Sequence, residues 1–174
     1  MSPVLSIRPP TAADAGRLAE VHVRCWQEAY HGILSDGFLA ALEPAGRLPL
    51  WTQLLADPPA GSLWAAYDGG TAVGFAGVRP VPSTAGVEPP AADRELWGLY
   101  LLASHHGLGL GGRLLRAALG TDAASLWVAS ENTRAIGFYR HFGFRADGAA
   151  DLVPEWENLA EMRMVRPGQA GISG

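Results

Sequence analysis

Residues 95–119, ELWGLYLLASHHGLGLGGRLLRAAL, read as a short apolar strand, a glycine-rich loop and an amphipathic helix. A chain that passes from a strand through glycines into a helix presents free backbone N–H groups at the positive end of the helix dipole. Such a site binds phosphate. Gly107, Gly109, Gly111 and Gly112 stand too close together for GxxxxGK[ST], and the chain contains no lysine at all, so a Walker A nucleotide site is excluded. A dinucleotide fingerprint fits poorly, because Gly107–Gly112 reads GxGxGG and lies past mid-chain instead of opening an N-terminal βαβ unit. The glycines point to a phosphorylated ligand of another kind, or else to a turn that merely starts a helix.

Neighbouring sequence decides between these. His106-Gly-Leu-Gly-Leu-Gly-Gly-Arg-Leu-Leu, preceded by Leu99-Tyr-Leu-Leu, resembles the acyl-CoA pyrophosphate loop of GNAT-superfamily N-acetyltransferases. That loop runs Arg or Gln, two residues, Gly, one residue, Gly or Ala. Ser125–Phe144, SLWVASENTRAIGFYRHFGF, resembles the next motif of the same family: strand, Asn, helix with Tyr, then Gly-Phe. Two motifs in order and at the right separation are far more specific than one. With the Ile7-Arg8-Pro9 opening and a strand pair near 63–79, the likeness covers most of the chain.

Bulk properties set limits. The 174 residues suit one domain, expected over 1–167 with a loose tail at 168–174. With 48% hydrophobic and 17% charged residues the composition is that of an ordinary globular protein. No apolar run is long enough to cross a bilayer and the first residues lack a signal-peptide pattern, so a cytoplasmic location is expected. One cysteine, Cys25, cannot form an internal disulfide, and no Cys/His spacing suggests a zinc site, so no metal is expected. A net charge of -4 argues against a nucleic-acid partner.

Periodicity gives the order of elements. A strand is predicted at 5–8, then a helix from an N-cap at Thr11 to about Tyr30, with Leu18, Val21, Cys25 and Ala29 as its buried stripe. A second helical region spans about 36–56, interrupted near Pro44-Ala-Gly46. Strands at 62–67 and 71–79 form a hairpin through Asp68-Gly69-Gly70, and 81–92 is a proline-rich loop. Strands follow at 95–102, 125–130, 144–147 and 158–165, with helices at 109–119 and 133–141. This α/β (α+β) order predicts helices around a twisted, mostly antiparallel sheet. The resemblance implies a GNAT-like fold of about seven strands with a central parallel pair, 95–102 and 125–130, that splays to admit the pantetheine arm. Strand-like binding of that arm would use backbone groups of Leu99–Leu102, Leu101 and Leu102 among them.

The resemblance implies an acetyl-CoA-dependent N-acetyltransferase acting by direct attack of a primary amine on the thioester. An amine with a pKa near 10.4 must lose a proton, the oxyanion must be stabilised, and the departing thiolate must be protonated. Tyr139 matches the family's leaving-group acid; its other reading is a core aromatic, since Ile136, Tyr139 and Phe142 share helical spacing. Asn132 either caps the following helix or holds the pantetheine amides. Glu95 is the candidate base, on a strand whose alternation puts Glu95, Trp97, Leu99 and Leu101 on one face, and otherwise a solvated carboxylate; Glu88 and Asp93 are fallbacks. The cofactor set is Leu101, Leu102, His106, Gly107, Leu108, Gly109, Leu110, Gly111, Gly112, Asn132 and Tyr139. His106 replaces the usual Arg or Gln, and Leu108 stands where a polar residue is common; both changes weaken the electrostatic part of binding. Trp26 and Tyr30, with His31 and Phe38, fall where the family lines its acceptor side, though large aromatics also build cores. Asp151, Glu155 and Glu157 either attract a cationic amine or form a solvated acidic face. The rival classes are a non-catalytic acyl-CoA-binding module and a self-association domain whose exposed aromatics build a homodimer face.

Overall fold

The computed structural model describes residues 4–84 and 86–169, so residues 170–174 of the expected tail lie outside the described residues. The elements are β1 (Leu5–Arg8), α1 (Ala15–Ala29), α2 (Asp36–Ala40), α3 (Pro44–Ala56), β2 (Leu63–Asp68), β3 (Thr71–Pro80), β4 (Arg94–Leu101), α4 (Leu110–Leu119), β5 (Ala124–Ala129), α5 (Thr133–His141), β6 (Arg145–Val153) and β7 (Leu159–Arg166). Among the described residues seven strands form one mixed sheet in the order β1-β2-β3-β4-β5-β7-β6. β4 and β5 are parallel, whereas β1–β2, β2–β3, β5–β7 and β6–β7 are antiparallel. The β4–β5 ladder is confined to one register, Glu95 opposite Ser125, at the start of both strands. A splayed pair keeps its contact there.

The chain divides into two compact units, Met1–Val78 with Gly98–Ala118 and Arg79–Trp97 with Leu119–Gly174. In the first, the β2–β3 hairpin turns through Gly69 and Gly70, with φ of 55° and 85°, the left-handed pair that a two-residue turn of this hand requires. A short 3-10 turn, Ala12–Asp14, precedes α1, and the Asp14 carboxylate accepts from the Thr11 N–H at 2.8 Å. The α1 stripe is buried as expected at Leu18, Val21 and Cys25 and is widened by His22 and Trp26. Burial and the nearby Glu28 carboxylate push the Cys25 thiol up to about 12. The interruption expected near Pro44–Gly46 falls earlier, at 41–43, and Pro44 opens α3. At a first helical position the N–H that proline lacks would have had no partner anyway.

In the second unit β5 is buried along nearly its whole length, while β6 is an exposed edge strand. β6 runs through 153, well past the expected 147, because its register with β7 shifts between Ala146 and Ala150, with Gly148 (φ 94°) in the irregularity. A glycine at a bulge reads in sequence as a strand end. Leu126 and Met164 are in register, and both are buried together with Phe144, Ile136 and Tyr139.

One glycine in the first unit fixes how closely two strands approach. A Cβ on Gly74 would stand 2.6 Å from the Tyr100 carbonyl oxygen and 2.7 Å from Leu101 Cδ1. Backbone cannot yield as a flexible side chain would. Gly74→Ala is expected to destabilise the protein by about 1–3 kcal/mol through overpacking, measured as a lower urea midpoint at unchanged slope.

Candidate active site

The glycine loop lies in the first unit and is built as the sequence suggests. Gly107 and Gly109 have φ of 77° and 74°, which a side chain would strain, and nothing lies within 4 Å of a Cβ placed at either. The first α-helical bond of α4 runs from the Arg113 N–H to the Gly109 carbonyl at 3.1 Å. The N–H groups of Leu110, Gly111 and Gly112 therefore sit ahead of the helical ladder, at its positive end. Leu108, at the loop's tip, is 49% exposed. The space over Gly107 and Gly109 is open, and the three N–H groups lie next to it.

Contacts within the same unit brace the loop. His106 Nε2 lies 2.8 Å from the Leu101 carbonyl, which can only accept, so that nitrogen carries the proton and the ring ties the loop back to β4. The Leu102 N–H donates to the Val73 carbonyl at 3.0 Å and its own carbonyl accepts from the His105 N–H at 2.9 Å. These groups of Leu101 and Leu102 are thus engaged within the protein. His105 Nε2 faces Asp68 Oδ2 at 3.2 Å, in the hairpin, and its Nδ1 faces Ser104 Oγ at 2.9 Å. The Ala103 N–H, opening a 3-10 turn over Ala103–His105, donates to Glu28 Oε2 of α1 at 2.7 Å. Glu28 escaped the sequence reading because its partner lies 75 residues away.

The aromatics expected on the acceptor side are mostly interior. Trp26 is 3% and Tyr30 7% exposed, with ring centroids 4.8 Å apart, and the Tyr30 and Tyr100 hydroxyls are 3.2 Å apart. His22 lies among Trp26, Trp51, Phe75 and Tyr100, and burial with the nearby Arg47 charge lowers its pKa to about 3. It is a neutral ring. Phe38 is half-buried, and only His31 is exposed, so Trp26 and Tyr30 do not supply an exposed aromatic face.

In the second unit Asn132 caps α5, its Oδ1 accepting from the Ala135 N–H at 3.1 Å. The amide nitrogen keeps two donors. Tyr139 is 8% exposed, its ring 5.7 Å edge-on from Phe144. Glu95 is no solvated strand end: it is 4% exposed, and Arg79 donates to its Oε1 from Nε at 2.8 Å and from NH2 at 2.6 Å. The fallback acids Glu88 and Asp93 are exposed, as are Asp151, Glu155 and Glu157.

The sequence reading also passed over Glu161. It stands on β7 opposite Ala129 of β5 and Asp151 of β6. Burial, then the Asp151 and Glu95 charges, raise its carboxyl pKa to about 7. Alternation of charge along Leu159–Arg166 was the available signal, but nothing in it showed which acid would lie opposite.

The chain matches the Acetyltransferase (GNAT) family over residues 19–144, most of its length. It belongs to the GNAT acetyltransferase family. This GNAT chain is 30% identical over 152 residues to the probable N-acetyltransferase Rv2775 of Mycobacterium tuberculosis, covering 83% of this chain and 82% of that one. Its fold is similar to the PaiA N-acetyltransferase of Thermoplasma acidophilum in complex with coenzyme A, with a TM-score of 0.66, 20% identity and coverage of 96% and 99% of the two chains. It is similar also to yncA of Salmonella typhimurium, a putative acetyltransferase with acetyl-CoA as cofactor, with a TM-score of 0.62, 20% identity and coverage of 98% and 97%. Among the described residues no helix is long and apolar enough to cross a membrane.

The Arg79–Glu95 pair joins a half-exposed guanidinium to a carboxylate that is 6% exposed, so the two partners have unequal stakes. Arg79→Met, which strands a buried charge, is expected to cost about 3 kcal/mol, and the double variant with Glu95→Gln should recover part of that loss. Denaturant melts of the two single variants and the double variant give the comparison.

Proposed function

We propose that this GNAT acetyltransferase transfers the acetyl group of acetyl-CoA to a primary amine by direct attack on the thioester. What carries the reading, beyond family membership, is the group of N–H donors at the start of α4 behind two left-handed glycines. A diphosphate suits that geometry, because successive amides share its charge with no lysine needed. His106, tied to Leu101, serves first as a brace and only second as a charge. Acetyl-CoA supplies the acetyl group as an activated thioester.

The remaining roles fall to side chains. Tyr139 donates its phenolic proton to the sulfur as the C–S bond breaks, and the second proton shed by the nitrogen restores the phenol; with a reference pKa near 10 the phenol is protonated at neutral pH. Asn132, with its carbonyl engaged as the α5 cap, offers its amide N–H groups to the pantetheine arm. Trp26 and Tyr30, being buried, act as a rigid base behind the acceptor side. Glu95, whose Oε1 already accepts twice from Arg79, is assigned to that pair and not to the proton transfer.

The experiment is a thermal-shift titration with acetyl-CoA followed by an acetyl-transfer assay. Ligand at 100 times its dissociation constant should stabilise the fold by about 2.7 kcal/mol. Tyr139→Phe should keep that shift and lose about 100-fold in kcat, the scale of one general-acid contribution. No shift at millimolar acetyl-CoA overturns the reading.

A further inference from the structure

The parallel strands β4 and β5 give the sheet a direction at this point. β4 and β5 are in register where they begin, at Glu95 and Ser125, so Glu95 sits at the paired end of the parallel couple. Ala129 ends β5, and three residues later Asn132 opens α5. Glu161 lies directly opposite Ala129, and its neighbour Ala160 accepts the Ser130 N–H at 2.9 Å. Glu161 is therefore level with the carboxyl end of β5, beside the turn that leads to Asn132, and Glu95 is level with the start of β5.

The surroundings of Glu161 are those of a carboxylate kept without a counter-charge. Asp151 of β6 is its direct cross-strand partner, a like-charge pairing that sheets avoid because it costs stability. Glu95 of β4 adds a second negative charge, and Arg79, its cation, is bound to Glu95 itself. On β7, Arg163 lies on the same face two residues along, but its Nε donates to Asp147 at 2.7 Å and its NH1 to the Glu88 carbonyl at 2.6 Å. Among the described residues Glu161 has no ion pair. Ser125, on the same face and only 1% exposed, has a hydroxyl without a hydrogen-bond partner.

We propose that Glu161 is the general base that takes a proton from the acceptor's ammonium group. The step rests on the acetyltransferase reading and balances as follows. R–NH3+ gives one proton to the Glu161 carboxylate, and the freed nitrogen pair forms a bond to the thioester carbonyl carbon. When the C–S bond breaks its electron pair leaves on sulfur. The nitrogen sheds its second proton, the sulfur gains one, and Glu161 returns its proton to water, so one proton is released per turnover. A carboxyl titrating near 7 is matched to this task, for it is ionised at working pH and still basic enough to accept. The two flanking acids also favour a positively charged acceptor.

The sign for stability follows from the same shift. Because the folded-state pKa is raised above the ordinary value of 4.5, stability is greatest with Glu161 protonated and is lost as pH rises through about 7. Glu161→Gln should then melt higher than wild type at pH 8, with the gap closing by pH 5. A variant that folds is thereby expected.

The test uses the full chain with acetyl-CoA and three probe amines: 2-phenylethylamine, 1,4-diaminobutane and a tripeptide with a free N-terminus. Glu161→Gln should lower kcat/KM on an amine the wild type acetylates by about 100-fold or more and abolish an inflection near pH 7, with the acetyl-CoA thermal shift intact. Glu161→Asp should restore part of the rate. Carbon NMR of the carboxyl groups, which needs no acceptor, should show one glutamate with a midpoint near 7 that Glu161→Gln removes. A Glu161→Gln enzyme within threefold of wild type with its inflection kept, or a Glu161 midpoint in the ordinary carboxylate range, overturns the inference and leaves the acetyltransferase reading standing. A wild-type chain that acetyl-CoA does not stabilise sinks both.

Discussion

Pairing of charge on one sheet face constrains everything proposed for the second unit. Ser125, Trp127 and Ala129 of β5 stand opposite Val165, Arg163 and Glu161 of β7, and Glu95 is level with Ser125. Two arginines point their donors into this face, and each is already engaged, Arg79 by Glu95 and Arg163 by Asp147 with the Glu88 carbonyl. Each arginine is thereby held by an acid, the buried Glu95 in one case and the more exposed Asp147 in the other. Glu161 is left without such a partner, and burial together with the Asp151 and Glu95 charges raises its carboxyl pKa to about 7.

The first unit meets a different requirement, that of holding a glycine-rich loop in one shape. Glycine gives the loop its left-handed turns and also its freedom to leave them. Restraint comes from outside the loop: Glu28 on the Ala103 N–H, His106 on the Leu101 carbonyl, and Asp68 on His105. These contacts draw α1, the β2–β3 hairpin and β4 onto the segment that precedes the glycines. Amides held in place before a ligand arrives bind it with less loss of entropy than amides that must be ordered on binding.

Local signals were strong enough to read most of the architecture. The helix at 133–141 is found at those residues, the hairpin turns on Gly69 and Gly70, and the glycine loop opens α4, because each depends on residues close together in sequence. The resemblance, carried by the two blocks at 99–115 and 125–144, supplied the parallel central pair that periodicity alone does not give. Non-local facts stayed hidden. Arg79 as the partner of Glu95, Glu28 as a brace and Asp151 opposite Glu161 all arise from the packing of elements distant in sequence, which a linear pattern does not contain. The break before Pro44 and the length of β6 were misjudged where proline opens a helix and where glycine sits in a bulge.

The lone cysteine has a practical side. Cys25 is 2% exposed on the buried stripe of α1, and a thiol shifted to about 12 offers almost no thiolate at neutral pH. Alkylating dyes and mild oxidants should pass it by in the folded state. Any cysteine engineered onto the surface would then be the sole reactive handle, which suits this protein to single-site fluorophore or spin labelling without first removing a native thiol.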